Sequence, residues 1–263
     1  MSIIGIDIGT STTKVIEYEN EIIKNKLIIR DGFSKEKLDE FINNNNISIE
    51  KLVFTGIGAS KINKENYTVP TYIIDEFSAI AKGGLYLTNK EKALVVSVGT
   101  GTAFIDVNGN EAKHLGGTGL GAGTLFNMCN RMLGVNSFDE IVEFAKIGDV
   151  EKIDLRIKDI TTEDIPTLPL DLTLSNFGKF EKDAKKEDIV IGLINMIFEV
   201  IGMMAVFITS NKDIKDVIFI GNITVIPGVK YVLDRIEKVQ NIKFIVPENT
   251  EFAVVLGAIK SCE

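Results

Sequence analysis

The 263-residue chain has no tryptophan, one histidine, two cysteines and five prolines. Each scarcity excludes something. The lone His114 excludes a multi-histidine metal site. Cys129 and Cys262 are too few for a disulfide scaffold or a zinc ribbon of paired cysteines, so the chain reads as reduced and cytosolic. With 29 basic against 37 acidic residues, a net charge of −8 and a pI near 5.0, it lacks the basic face of a nucleic-acid-binding protein. The opening Met-Ser-Ile-Ile-Gly-Ile-Asp has no basic stretch and carries a carboxylate at position 7, which reads against a signal peptide. Walker G-x-x-x-x-G-K-[ST], strict G-x-G-x-x-G and the serine nucleophile elbow are all missing. The looser dinucleotide form ending in alanine occurs at Gly117 to Ala122, inside a glycine-dense stretch where chance matches are easy.

What is present is a core. The chain is 45% apolar, with 15 phenylalanines, and its length suits two modest domains or one α/β domain of two halves. Ile189 to Ile208 is long enough to cross a bilayer, with only Asn195 and Glu199 strongly polar. A charge near the middle of a span costs about 2.5–3.5 kcal/mol, so the segment reads as a buried helix of a globular fold. Apolar runs predict strands at Ile3–Ile8, Thr13–Tyr18, Glu21–Ile29, Lys51–Thr55, Thr71–Ile74, Ala93–Val98, Val217–Ile220 and Lys243–Val246. Helices are expected over Ser34–Ile42, Glu76–Leu87, Gly119–Leu133, Glu187–Ser210, Gly228–Val239 and Glu251–Ser261. Ser137-Phe-Asp-Glu140 reads as a capping box opening another helix, which runs to Lys146, and Thr161–Pro169 as a loop with Pro166 and Pro169.

An internal repeat organises these elements. Ile6-Asp-Ile-Gly-Thr-Ser-Thr12 and Val96-Ser-Val-Gly-Thr-Gly-Thr102 match at an offset of 90 residues. Each copy is a buried strand, a Gly-Thr-x-Thr turn and a second strand. Two equivalent turns facing a cleft suggest a duplicated α/β fold, with halves expected at 1–92 and 93–263.

The first turn runs from Asp7 through Ile8, Gly9, Thr10, Ser11, Thr12 and Thr13 to Lys14. Gly9 lets backbone approach a ligand, successive N–H groups make an anion-binding concavity, and Lys14 offsets phosphate charge. Asp7, at a strand end, suits Mg²⁺, directly or through water. The same residues also describe a hydroxyl-rich hairpin. The second turn, Gly99-Thr100-Gly101-Thr102, repeats the chemistry, and five glycines between Gly116 and Gly123 precede a helix, an arrangement that favours phosphate at the helix start. Glu76 is the candidate general base, although a first-turn helix acid, with Asp75 as the cap, accounts for it equally well.

In order along the chain, Asp7-x-Gly-Thr-x-Thr-Thr-Lys14, Asp75-Glu-Phe-x-Ala79, Val98-Gly-Thr-Gly-Thr102 and Leu115-Gly-Gly-x-Gly-x-Gly-x-Gly123 resemble the type II pantothenate kinases. The resemblance continues through Gly148-Asp-x-x-x-Ile-Asp-Leu155, Asp171-Leu-Thr-x-x-Asn-Phe-Gly178 and Pro247-Glu-Asn-x-x-Phe-x-x-x-x-Gly-Ala258, covering essentially the whole chain. It implies the duplicated, ribonuclease H-like fold of actin, sugar kinases and heat-shock chaperone ATPases, a homodimer, and ATP-dependent phosphorylation of pantothenate in coenzyme A synthesis. It puts ATP and Mg²⁺ on Asp7 to Lys14, and the nucleotide also on Thr100, Gly101 and the helix start Ala122, Gly123, Thr124, Leu125 and Phe126. Phe138 is implied to pack on the adenine and Gly221-Asn222 to form a late adenosine turn. Glu76 becomes the base that takes the acceptor's proton, with Thr100, Thr102, His114, Gly116 and Gly117 at the acceptor. Where the family usually has an arginine before the glycine pair, this chain has His114. A permanently charged fork suits a carboxylate better than a histidine does, so pantetheine is an alternative acceptor. A further alternative is an ATPase that activates dehydratases through an iron–sulfur cluster bridged on cysteines, or a nucleotide-sensing module without catalysis.

Overall fold

The structure, a computed structural model, describes residues 1–30, 32–163 and 169–263. Pro166 of the expected 161–169 loop lies outside the described residues. The chain opens with β1 (Ser2–Ile8), β2 (Thr13–Glu19) and β3 (Ile22–Ile29), joined by turns too short for anything but antiparallel pairing. Helix α1 (Lys35–Asn44), capped by the Ser34 hydroxyl, returns the chain to β4 (Ile49–Thr55), which runs parallel to β1. β5 (Thr71–Ile73) then adds to the far edge, giving the order β3-β2-β1-β4-β5. Helix α2 (Glu76–Thr88) follows, with Asp75 as its N-cap.

The second half repeats this path. β6 (Lys92–Val98), β7 (Thr102–Asn108) and β8 (Glu111–Thr118) form an antiparallel meander. Helices α3 (Ala122–Leu133), α4 (Phe138–Ile147) and α5 (Lys186–Thr209) follow, with the two-stranded ribbon of β9 (Leu155–Arg156) and β10 (Thr173–Ser175) inserted before α5. β11 (Asp216–Ile220), α6 (Val229–Val239), β12 (Lys243–Ile245) and α7 (Ala253–Lys260) complete the chain. The sheet order is β8-β7-β6-β11-β12, the order of the first sheet over again. The expected boundary between 92 and 93 falls after the first residue of β6.

The duplication is offset by 90 residues at β1 and β6, but by 89 at β2 and β7 and at β3 and β8. Thr13 pairs with Ile8, and Thr102 with Val98, so the second turn is one residue shorter than the first. The sequence match Thr12/Thr102 therefore slips in space, and Thr102 occupies the place of Thr13.

Two corrections concern local structure. Gly116 to Thr118 lie in β8, where pairing with β7 outweighs the poor strand propensity of glycine. In the expected capping box, Ser137 Oγ accepts from the Glu140 N–H at 3.2 Å, but the Glu140 carboxylate accepts from the N–H of Asn136 instead of that of Ser137.

α5 is the one helix, among the described residues, long and apolar enough to cross a membrane, and most of it is buried inside the fold. Its polar residues are accounted for. Asn195 donates to Asp154 at 2.6 Å, while Glu199 receives Arg235 at 3.2 Å and Asn176 at 2.8 Å. This network ties α5 to α6 and to the β9–β10 ribbon.

Helices α2 and α7 occupy equivalent places after the last strand of each half, yet they pack across. α7 lies on β1 and β4 of the first sheet, and α2 on β6, β7 and β8 of the second. They cross at glycine: a Cβ on Gly83 would stand 1.9 Å from the Ala253 carbonyl oxygen, and one on Gly257 would stand 1.9 Å from that of Ala79. The crossing lies in a core shared by both sheets, with Ile16, Val53, Val95, Ile218 and Val255.

Candidate active site

The first turn sits at the end of β1. Gly9 N–H donates to the Thr12 carbonyl at 3.0 Å, which closes the turn. Asp7 and Lys14 are cross-strand neighbours, both buried, with Nζ 3.9 Å from Oδ2. Burial pushes the Asp7 pKa up, against the pull of Lys14. It pushes the Lys14 pKa down, against the charges of Asp7 and Glu251. The pair thus shares a desolvation cost that neither partner removes.

The second turn closes with Gly99 N–H on the Gly101 carbonyl at 2.8 Å. The start of α3 holds it: Ala122 N–H donates to the Gly99 carbonyl and Gly123 N–H to that of Thr100, at 2.8 and 3.0 Å. Those two N–H groups therefore brace the turn. Thr102 hydroxyl is buried and donates to the Leu120 carbonyl at 2.8 Å, and Thr124 hydroxyl donates to that of Gly119 at 2.9 Å. The Leu125 side chain is fully buried, and Phe126 and Phe138 pack against the same core. Between the two turns runs one direct contact, Ser11 Oγ to Thr100 Oγ1 at 2.9 Å, while Thr10 is exposed.

Gly221-Asn222 lies beside the second turn. Gly221 has φ +120°, and a Cβ there would stand 2.1 Å from the Val98 carbonyl oxygen. The side-chain oxygen of Asn222 is buried without a partner, a donor-seeking group next to the turn.

Glu76, half-buried, opens α2 within reach of the Asp7 charge. Burial raises its pKa, the Asp7 charge raises it further, and the N–H of Ile57 pulls it down. The residue after it, Phe77, stacks on His114 with ring centroids 4.1 Å apart and planes 13° from parallel, and both rings are exposed. His114 is joined on β8 by Gly116 and Gly117, the latter paired with Ala103.

The Fumble family matches residues 92–239, more than half of the chain. The chain is 31% identical over 231 residues, 83% of both proteins, to the type II pantothenate kinase of Bacillus cereus strain G9842. It belongs to the type II pantothenate kinase family. Another member, from Staphylococcus aureus strain USA300, is 27% identical over 230 residues, covering 83% of this chain and 84% of its own length. Solved structures extend the likeness at the level of fold. An activator of the 2-hydroxyisocaproyl-CoA dehydratase from Clostridium difficile, with bound ADPNP, superposes with a TM-score of 0.68 at 20% identity, covering 98% of this chain and 92% of its own. A ROK family glucokinase from Streptomyces griseus, in complex with glucose and AMPPNP, gives 0.61 at 12% identity and 99% coverage of each chain. The fold is the actin-like ATPase fold.

In this pantothenate kinase family member, Asp7, Lys14 and Glu76 are brought into one charged group, and Ser11 and Thr100 into direct contact. Sequence reasoning missed two participants. Thr55 is the cross-strand neighbour of Asp7, fully buried, and its hydroxyl has no partner. The Gly56-Ile57-Gly58 turn lies between Asp7 and Glu76. Its glycines follow the expected strand Lys51–Thr55 in the sequence, but their target, a residue about fifty positions earlier, is not visible there.

Proposed function

We propose that the protein transfers the γ-phosphoryl group of ATP to the hydroxyl of pantothenate, forming 4′-phosphopantothenate, the first step of coenzyme A biosynthesis. The observation that carries the reading is Glu76, a half-buried carboxylate at the start of α2 whose pKa is raised by burial and by the charge of Asp7 at the first turn. In this reading Glu76 takes the proton from the acceptor hydroxyl as its oxygen attacks the γ-phosphorus and ADP leaves. Positioning and backbone donors stabilise the transferring group. The turns from Asp7 to Lys14 and Gly99 to Thr102 bracket the phosphates, across the cleft between 1–92 and 93–263. Phe138, Gly221 and Asn222 take the adenosine, with the unpartnered Asn222 oxygen supporting that role. Mg²⁺ fits at Asp7: one buried carboxylate with the unpartnered Thr55 hydroxyl alongside suits an ion that draws its remaining ligands from phosphate and water. Such an ion would neutralise phosphate charge.

The His114–Phe77 stack supports a second reading of the acceptor. His114 presents an aromatic plate stacked on Phe77, the residue after Glu76, rather than a charged fork, which suits the uncharged end of pantetheine. The dehydratase-activator reading is disfavoured by Cys129, which is fully buried, its thiol pushed up to about 11 by desolvation. Such a thiol is a poor cluster ligand. A homodimer is supported by α5, whose Val200 and Phe207 stay 38% and 70% exposed on a mostly buried helix. We place the enzyme in the cytoplasm.

The test is ADP release with ATP and each acceptor at matched concentration. Faster turnover of pantothenate supports the main reading. A strong preference for pantetheine makes the Phe77–His114 plate the selecting feature, and no turnover with either overturns the kinase assignment.

A further inference from the structure

Two buried threonine hydroxyls close around the Gly221–Asn222 turn, and the reaction as proposed uses neither. β11 ends beside β6, with Ile220 in register with Ser97. Gly221 follows, pressed against the Val98 carbonyl where the second turn begins. Thr224 and Thr250 are both buried. The Thr224 hydroxyl donates to the Gly221 carbonyl at 2.8 Å, and the Thr250 hydroxyl donates to the Phe219 carbonyl at 3.2 Å. The Gly221 N–H in turn donates to the Thr250 hydroxyl and to the Thr250 carbonyl, both at 3.2 Å. The two hydroxyl oxygens stand 3.4 Å apart. Thr250 therefore grips the chain on both sides of Ile220, using the one proton and a lone pair of its hydroxyl. It belongs to neither β11 nor the turn. It opens the three-residue 3-10 helix Thr250–Phe252, which runs into α7. α7 is seated on the first sheet, where a Cβ on Gly5 of β1 would stand 2.7 Å from Val255 and 2.8 Å from Ile259. Thr250 is thus the joint between a turn of the second sheet and a helix lying on the first.

We propose that Thr250 is the positioning residue of the nucleotide end of the site: with Thr224 it fixes the Gly221 backbone, and so holds the unpartnered oxygen of Asn222 where the adenosine is received. Resting on the assignment of Gly221-Asn222 to the adenosine, this role supplies what keeps the turn in place. The close Val98 carbonyl admits only glycine at 221, and glycine is the residue whose own backbone preference fixes direction least. The direction in which Asn222 leaves the strand is therefore set from outside the turn, by the hydroxyls that hold the Gly221 N–H and carbonyl.

Thr250→Val replaces the hydroxyl by a methyl group of similar size and leaves the Gly221 N–H only the carbonyl of residue 250. The expected result is a dissociation constant for ADP, from calorimetric titration, raised about threefold to tenfold, and a KM for ATP raised alike, with kcat and the KM for the acceptor within about twofold. Thr250→Ser, which restores the hydroxyl, brings ADP binding back to within about twofold of the parent. Thr209→Val is the control for loss of a buried hydroxyl as such: Thr209 donates to the Ala205 carbonyl inside α5, and its variant binds ADP as the parent does. Hydrogen exchange reads the turn without any ligand. The Gly221 amide exchanges about threefold to tenfold faster in Thr250→Val, while the amides of Val217 and Ile218 in β11 keep their parental rates. Parental ADP binding by Thr250→Val, a loss in Thr250→Ser as large as in Thr250→Val, or an unchanged Gly221 exchange rate overturns the proposal. Where Thr250→Val does not fold, parental ADP binding by Thr224→Val, which frees the Gly221 carbonyl instead, overturns it. A parent protein that binds no adenine nucleotide overturns the adenosine assignment itself and this role with it, a failure that the unsubstituted chain shows without any variant.

Discussion

The two sheets have the same strand order, and their first strands end in matching Gly-Thr turns, yet only one turn carries charge. At the end of β1 stands Asp7, paired in register with Lys14. The equivalent place at the end of β6 is Ser97, paired in register with Ala103. The charged turn is closed by its own Gly9–Thr12 bond and one residue longer, whereas the neutral turn is shorter and braced by two N–H groups of α3. The duplicated backbone thus supplies two similar concave ends, and the side chains divide the work. One end holds the ionisable groups, with Glu76 reaching it from α2, and the other supplies rigid neutral dipoles. Concentrating the desolvation cost in a single turn leaves the other free to be stiff.

The largest effect that tests this division is loss of the proposed base. Glu76→Gln is expected to lower kcat by about 10²–10⁴-fold while ATP binding, measured by calorimetric titration, stays unchanged. A mutant with near-parental turnover removes Glu76 from the mechanism. The next comparison pits the two strand ends against each other. Asp7→Asn removes the ion-pair partner of the buried Lys14, leaving only the Glu251 charge to act on it, and removes the metal-suited carboxylate, so kcat falls by about 10²-fold or more. Ser97→Ala, at the matching position, changes kcat by less than about threefold and serves as the neutral control. Equal losses in the two variants break the asymmetry.

A substitution at the crossing of α2 and α7 tests what the halves share. Gly257→Ala sets a methyl group 1.9 Å from the Ala79 carbonyl oxygen, so the helices must separate. Overpacking of this kind costs about 1–3 kcal/mol, or roughly 2–5 °C in melting temperature for a chain of this size. Because α2 packs on the second sheet and α7 on the first, both halves melt together in the variant. Two separate transitions in calorimetry would show that the crossing does not couple them.

How much of this was legible in the sequence follows physical range. The buried strands, the 90-residue repeat, and the positions of Asp7 at a strand end and Glu76 at a helix start were readable because local pattern and turn chemistry specify them. The strand β8 was not, because Gly116 and Gly117 have poor strand propensity and are held there by pairing with β7, a contact between strands. The one-residue slip of the second turn was hidden by Thr12 and Thr13 being identical, so the match fell on the wrong one. The exchange of α2 and α7 between sheets, and the reach of Gly56 to Asp7, depend on packing between segments distant in sequence. Glu199, read as a reason to keep α5 out of a membrane, proved to be the partner of Arg235, a residue of a helix not yet folded onto it at the level of sequence.

The two cysteines compare the cores on either side of the crossing, at the smallest expected effect. Cys129 is fully buried in the core of the second half, with its thiol pushed up to about 11, whereas Cys262 is half-buried beside the shared core and its thiol is raised by partial burial. A raised thiol pKa means that the folded state keeps a proton the unfolded chain has lost. The stability associated with Cys129 is therefore complete below the ordinary thiol value near 9 and declines as pH rises from there towards about 11. The decline is about 1.4 kcal/mol per pH unit at its steepest, about 2–3 kcal/mol in all. Denaturant unfolding at pH 8, 9 and 10 measures it by difference, since lysines and tyrosines titrate in the same range in every variant. Cys129→Ala should lose stability at pH 8 from the cavity it opens, yet show a shallower fall to pH 10 than the parent, while Cys262→Ala keeps most of the parental slope. Matching slopes in all three proteins would mean that the Cys129 thiol ionises in the folded state as readily as in the unfolded one, and that the second core admits water where the structure has it closed.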